Sequence, residues 1–219
     1  MSEIINFYNN NKGNAQIYKN ADEYLIKDLL FKNLSGNNKI KTLDGMDMES
    51  KLNNIIPGMI YTFIYKSNKQ NDDINFGDNF PMILCTNLKA VDNKLYIQGI
   101  NLNMLSKHNK LFLLDFITEQ YSNFYTNEVY NASKRNKIVI NEDLANKLIN
   151  SDFLITICEK LLNINIFECF RSYNMSICKN IRLIEYNLWK YIPFCSTKRI
   201  IENLSSEQME KIQNQLLTS

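Results

Sequence analysis

Residues 55–105 hold the pattern that most restricts what this chain can fold into. Pro57-Gly58 is a turn dipeptide, and behind it comes Met59-Ile60-Tyr61-Thr62-Phe63-Ile64-Tyr65, a β-branched and aromatic run with no Pro or Gly inside. Such a run packs on a pleated surface covered on at least one face, so it predicts a strand. Phe80-Pro81-Met82-Ile83-Leu84-Cys85-Thr86 predicts a second strand, with its proline at the start, where a missing N–H is tolerated. Asp92-Asn93 marks a tight hairpin turn into a third, Lys94-Leu95-Tyr96-Ile97-Gln98-Gly99-Ile100.

The flanking segments change period. Residues 1–20 are Asn-rich with scattered aromatics, and read as an arm that Ile4, Ile5, Phe7 and Tyr8 would anchor on a neighbouring subunit. Asn20-Ala21-Asp22-Glu23 reads as an N-cap, predicting a helix from Ala21 to Asn33, followed by a Gly-bearing loop from Ser35 to Ser50. Leu111, Leu114, Ile117, Tyr121 and Phe124 recur at helical steps and predict a helix from Ser106 to Tyr125. Ile138-Val139-Ile140 reads as a short strand, Leu144 to Leu162 as one or two helices, and Ile181 to Tyr186 as a further strand. Trp189-Lys190-Tyr191-Ile192-Pro193-Phe194 packs three aromatics around a proline, and Ser205-Ser206-Glu207-Gln208 opens a C-terminal helix. The expectation is an α+β fold: a small SH3-like β-barrel or curved antiparallel sheet, with packed amphipathic helices and extended terminal arms. Residues 1–54 would form the N-terminal arm and helix, and 55–219 the barrel core with helical insertions and a C-terminal helix.

Chemistry-bearing patterns are few. The single histidine, His108, opens a predicted helix without a second His or a Cys at metal-ligand spacing, so neither a metal nor a cofactor is expected. The sequence has no GxGxxG and no GxxxxGK[ST] to cradle phosphates. Asp44, Asp47, Glu49 and Lys51 mimic a metal-dependent nuclease cluster, but they fall in a predicted loop rather than on the paired strands that fix a metal. Five scattered cysteines, Cys85, Cys158, Cys169, Cys178 and Cys195, read as buried thiols of a reducing compartment. No apolar run is long enough to cross a bilayer, the N-terminus does not read as a secretory signal, and a net charge of +2 implies no nucleic-acid partner by itself. One basic and aromatic neighbourhood remains, formed by Arg171, Tyr173, Lys179, Arg182, Trp189, Lys190, Lys198 and Arg199. It suits DNA phosphates or an acidic partner, or a protein interface. The plainer reading, which is favoured, is cationic stems solvating a strand whose aromatics fill the core.

Two segments carry a resemblance. The first is Pro57-Gly58-Met59-Ile60-Tyr61 with Tyr65, then Asn79-Phe80-Pro81-Met82-Ile83 and Gly99-Ile100-Asn101-Leu102-Asn103-Met104-Leu105. The second is Phe170-Arg171-Ser172-Tyr173 with Glu185-Tyr186-Asn187-Leu188-Trp189-Lys190-Tyr191-Ile192-Pro193-Phe194. Together, over about a third of the chain, they resemble a family of small virion proteins of tailed bacteriophages, whose relatives include neck, baseplate and DNA-end-protector components. Met104-Leu105-Ser106-Lys107 departs from the Tyr-Leu-Pro-Pro that relatives tend to carry there. The resemblance implies a non-enzymatic structural protein of the head–tail connector, neck or tail, made in the host cytoplasm and carried in the virion. Its implied partners are neighbouring virion proteins and further copies of itself in a ring, with neither membrane nor small-molecule substrate. The alternative is a DNA-binding protein that protects or guides the packaged genome end.

Overall fold

A computed structural model describes residues 3–27, 55–65, 76–120, 155–196 and 205–210. The N-terminal segment forms two helices, α1 (Glu3–Asn11) and α2 (Ala15–Asp22), the second running on through a wider π-type turn, Glu23–Lys27. Among the described residues five strands follow: β1 (Ile60–Tyr65), β2 (Met82–Val91), β3 (Lys94–Asn101), β4 (Phe170–Asn174) and β5 (Cys178–Leu183). Between β3 and β4 lies α3 (Lys107–Gln120), and a 3-10 helix, Tyr186–Phe194, follows β5.

All pairings are antiparallel, and the strand order is β4-β3-β2-β1-β5. The predicted turns build the first half. Gly58 has φ 91° and the Met59 N–H donates to the Ile56 carbonyl, a type II turn that requires glycine at its third position. Asp92 and Asn93 both have positive φ, 48° and 60°, as a two-residue hairpin turn matched to strand twist demands.

The sheet is bent at two bulges. On β2 the register shifts between Cys85 and Asn87, leaving Thr86 as the extra residue, and its hydroxyl donates to the Gln98 carbonyl at 3.2 Å. On β5 the register against β1 shifts at Asn180, which has φ 54°. Bulges increase local twist and fold a strand over. The consequence is direct: Tyr173 on β4 meets Phe63 and Tyr65 on β1, with ring centroids 5.3 and 4.8 Å apart. On a flat sheet those strands would lie about 14 Å apart, three spacings away. The edge strands β4 and β5 are joined by one 3-10 turn, Met175–Ile177.

Among the described residues the sheet nevertheless stays open, so of the two expected forms they make the curved antiparallel sheet and not a closed barrel. In the connecting turn Met175–Ile177, Asn174 Oδ1 accepts from the Ser176 N–H and the Cys178 N–H donates to the Met175 carbonyl, and β4 and β5 remain the two edges of the described sheet. The expected N-terminal arm is corrected too. Asn14, not Asn20, caps α2, its side chain accepting from the Gln16 N–H, while Asn20 sits inside the helix and accepts from Gln16 Nε2 at 2.7 Å. Ile4, Ala21 and Leu25 are buried in this chain's own core, because helical spacing gives α1 and α2 an apolar side to cover.

Ser106 caps α3, its hydroxyl accepting from the Asn109 N–H, so this helix begins where expected. The C-terminal signal also holds over its described part. Residues 206–210 are helical, and Ser205 and Gln208 bond reciprocally to each other's main-chain N–H. The expected strand at 138–140, the loop at 35–50 and the helices from 144 to 154 lie outside the described residues.

Candidate functional site

The two segments that carry the phage-protein resemblance are far apart in sequence and meet in space. The Gly58 N–H donates to the Cys85 carbonyl at 2.7 Å, locking the first turn onto β2. Asn103 Nδ2 donates to the Phe80 carbonyl at 2.8 Å, which fastens the end of β3 to the start of β2. Asn101 is fully buried at the end of β3; its Oδ1 caps the turn Leu102–Met104 and its Nδ2 donates to the Tyr173 hydroxyl at 2.8 Å. Trp189 is also fully buried, and its Nε1–H donates to the Ile184 carbonyl at 3.0 Å. Ile184 N–H in turn donates to the Ile60 carbonyl. Burial holds the Tyr173 hydroxyl well above the ordinary tyrosine range, with the nearby Asp78 charge adding to it and the Asn101 bond opposing. Burial likewise raises Tyr61, whose oxygen accepts from the Ile56 N–H at 2.8 Å.

The basic and aromatic residues singled out in the sequence do not form one surface. Tyr173 and Trp189 are core residues. Arg171 is half-buried on β4, donating to the Phe167 and Phe170 carbonyls at 3.0 and 2.9 Å and lying 3.7 Å from Asp78. Arg182 reaches from β5 to the Tyr24 and Leu25 carbonyls at the end of the N-terminal helices, at 3.0 and 3.3 Å. Lys190 sits over the Phe7 ring at 5.1 Å. Among the described members only Lys179 is exposed, while Lys198 and Arg199 lie outside the described residues, as do Asp44, Asp47, Glu49 and Lys51.

Arg182 and Lys190 among them grip the chain's own N-terminal helices, and so do the aromatics beside Trp189. Phe7 packs edge-on against Tyr191 and Phe194, Tyr18 against Phe194, and Tyr24 against Tyr191. Lys107, at the first turn of α3, enters the same cluster with Nζ 5.0 Å from the Tyr8 and Tyr18 ring centroids and 2.6 Å from the Tyr18 hydroxyl. Partial burial pulls its pKa down, but the bonds to Tyr18 and Tyr8 outweigh that and leave it raised. Behind this cluster, two buried side chains of opposite charge clasp one peptide. Lys110 Nζ donates to the Cys195 carbonyl at 3.3 Å, and Asp22 accepts from the Ser196 N–H at 3.3 Å.

Lys107 and Lys110 carry no mark in the sequence as site residues. The helical spacing of Ile4, Tyr8 and Asn11 was the available signal for a packed N-terminal helix, but nothing local marks a lysine as the cation that a ring cluster receives. His108 is exposed, its ring edge-on to Phe112 at 4.5 Å. Among the described residues no three His, Cys, Asp or Glu side chains converge as metal ligands, and no helix is long and apolar enough to cross a membrane. No known protein family matches this chain, and no curated protein or solved structure is found to be similar to it.

Proposed function

We propose that this chain is a non-enzymatic structural protein of a tailed bacteriophage virion, assembling in the head–tail connector, neck or tail. One observation carries the reading. The positions that resemble the virion family, from Pro57-Gly58 through Asn101 and Asn103 to Tyr173 and Trp189, are the turns, caps and buried hydrogen bonds of a single scaffold. A resemblance concentrated in scaffold residues speaks for a shared fold used as a building block. The strand order, the two bulges and the 3-10 turn joining the edge strands support reading that scaffold as an SH3-like barrel left open on one side. The ring assembly and virion location are part of the same proposal.

The genome-end alternative has less support, because Arg171, Arg182 and Lys190 are engaged inside the chain and are not arrayed towards a phosphate backbone. The test is the solution mass of the purified protein over a range of concentrations, with and without short double-stranded DNA, at low and moderate salt. A discrete oligomer indifferent to DNA is expected. A monomer that shifts onto DNA with steep salt dependence overturns the assembly reading in favour of genome-end binding. A monomer that ignores both DNA and its own copies at every concentration removes the ring.

A further inference from the structure

The π-type turn Thr156–Leu161 and the short helical turn Ile166–Cys169 each carry a cysteine, and the chain doubles back between them. Asn163 takes the left-handed conformation, φ 52°, and the Ile164 N–H donates to the Cys158 carbonyl at 2.9 Å. This folds Cys169 over Cys158, with their sulfurs in hydrogen-bond contact at 4.0 Å and both side chains buried. Elsewhere the thiols of Cys85 and Cys178 donate to main-chain carbonyls of Asn87 and Asn174. The Cys158–Cys169 contact is therefore a dithiol, and it sits where β4 begins. Sequence spacing hid it, since eleven positions separate the two residues and neither belongs to a CxxC pattern.

We propose that Cys158 and Cys169 are an oxidation site, forming an intramolecular disulfide when the folded protein meets a peroxide. Bonding distance is about 2 Å shorter than the present contact, so closure requires the two side chains to rotate towards each other. Cys169 is the attacking sulfur. The shared Cys158 proton, together with the Arg171 guanidinium, holds its thiol below the ordinary range, while that same hydrogen bond and burial push Cys158 up. The Cys169 thiolate attacks one peroxide oxygen, the O–O bond breaks, and the departing hydroxide takes a proton and leaves as water. The Cys158 sulfur then attacks the Cys169 sulfenic acid, the S–O bond breaks, and the hydroxyl leaves with the Cys158 proton as a second water. Two thiols are oxidised to one disulfide and one peroxide is reduced to two waters. The inference stands apart from the virion reading and survives or fails without it.

Trypsin separates the two residues, because Lys160 lies between them. The whole protein is treated with hydrogen peroxide while folded, its remaining thiols are alkylated, and the digest is read by mass spectrometry. The expected product is the peptide ending at Lys160 joined to the peptide ending at Arg171, parting on reduction, with Cys85, Cys178 and Cys195 still alkylated. In Cys158→Ser, Cys169 should instead run on to the sulfinic acid, having lost its resolving partner. Cys158 and Cys169 both alkylated after peroxide, or joined only when denaturant is present, would overturn the proposal, and the wild-type comparison stands even if the variant misfolds.

Discussion

The coiled sheet and the N-terminal clasp are held by different physics. Inside the sheet, Phe63, Ile83, Leu84, Ile97 and Ile100 are fully buried, and Asn101 and Thr86 among them are bonded to specific partners, the Tyr173 hydroxyl and the Gln98 carbonyl. The clasp is made of ring edges and cations at the rim. Phe7, Tyr8 and Tyr18 lie around Phe194, with Lys107 and Lys190 over their faces, while Ile4, Ala21 and Leu25 are buried in the core. Full apolar burial is unforgiving of geometry, whereas ring–cation contacts of roughly 0.5–1 kcal/mol at exposed sites are made and broken one at a time. The sheet should thus open only with the whole fold, and the hairpin before it.

The largest effect should come from Gly99. It pairs with Cys85 on one side and Arg171 on the other, and a Cβ there would sit on the Leu84 carbonyl oxygen, 2.9 Å from its carbon and 3.0 Å from Ile83 Cγ1. Backbone cannot yield as a side-chain tip does, so Gly99→Ala should cost about 3 kcal/mol or more and move the urea midpoint of the whole protein. The comparison breaks if Gly99→Ala melts the N-terminal helices alone and leaves the sheet intact.

Alkaline pH should come next. Burial raises Tyr61, Tyr173 and the Cys85 thiol above their ordinary values, so the folded chain keeps protons that the unfolded chain releases. Raised folded values mean that this stability is fully present below the unfolded thiol value of 9.0 and declines as pH climbs past it and past the tyrosine value of 10.0. The urea midpoint should fall steadily through that window, and more shallowly in Tyr173→Phe, which carries one fewer titrating group. A midpoint that stays level across it would show that the sheet interior does not hold these protons.

What the sequence revealed follows the same division. The turn at Pro57-Gly58, the Asp92-Asn93 hairpin and the strands beside them were legible because each signal is local: a required φ, a missing N–H, a run of β-formers. The ends of those strands were not, since β2 continues through the bulge at Thr86, and a bulge is set by a partner strand rather than by its own residues. Arg171, Arg182 and Lys190 were visible as cations; Arg171 turns back on carbonyls of its own segment, but the carbonyls that Arg182 reaches and the Phe7 ring under Lys190 lie more than a hundred positions away, which no period or spacing encodes. The N-terminal segment looked like an arm because its few apolar residues suffice only when Tyr191 and Phe194 receive them.

Lys107 gives the smallest effect and the sharpest test of the division. Its ammonium lies among Tyr8, Tyr18 and Phe194, joining α3 to both N-terminal helices. Replacing it by Gln keeps a polar stem and removes the charge, which should cost about 0.5–1 kcal/mol, confined to the clasp. Read by amide hydrogen exchange, residues 3–22 should exchange roughly two- to fivefold faster while β1–β3 amides are unchanged. Lys107→Arg, which keeps a cation able to stack on rings, should restore most of the protection. Equal acceleration in the sheet would mean that hairpin and sheet open as one unit, and the two regions would then differ in chemistry but not in cooperativity. No acceleration anywhere would place the hairpin's hold in Ile4, Ala21, Leu25 and the Asp22–Ser196 bond, with the cation an onlooker.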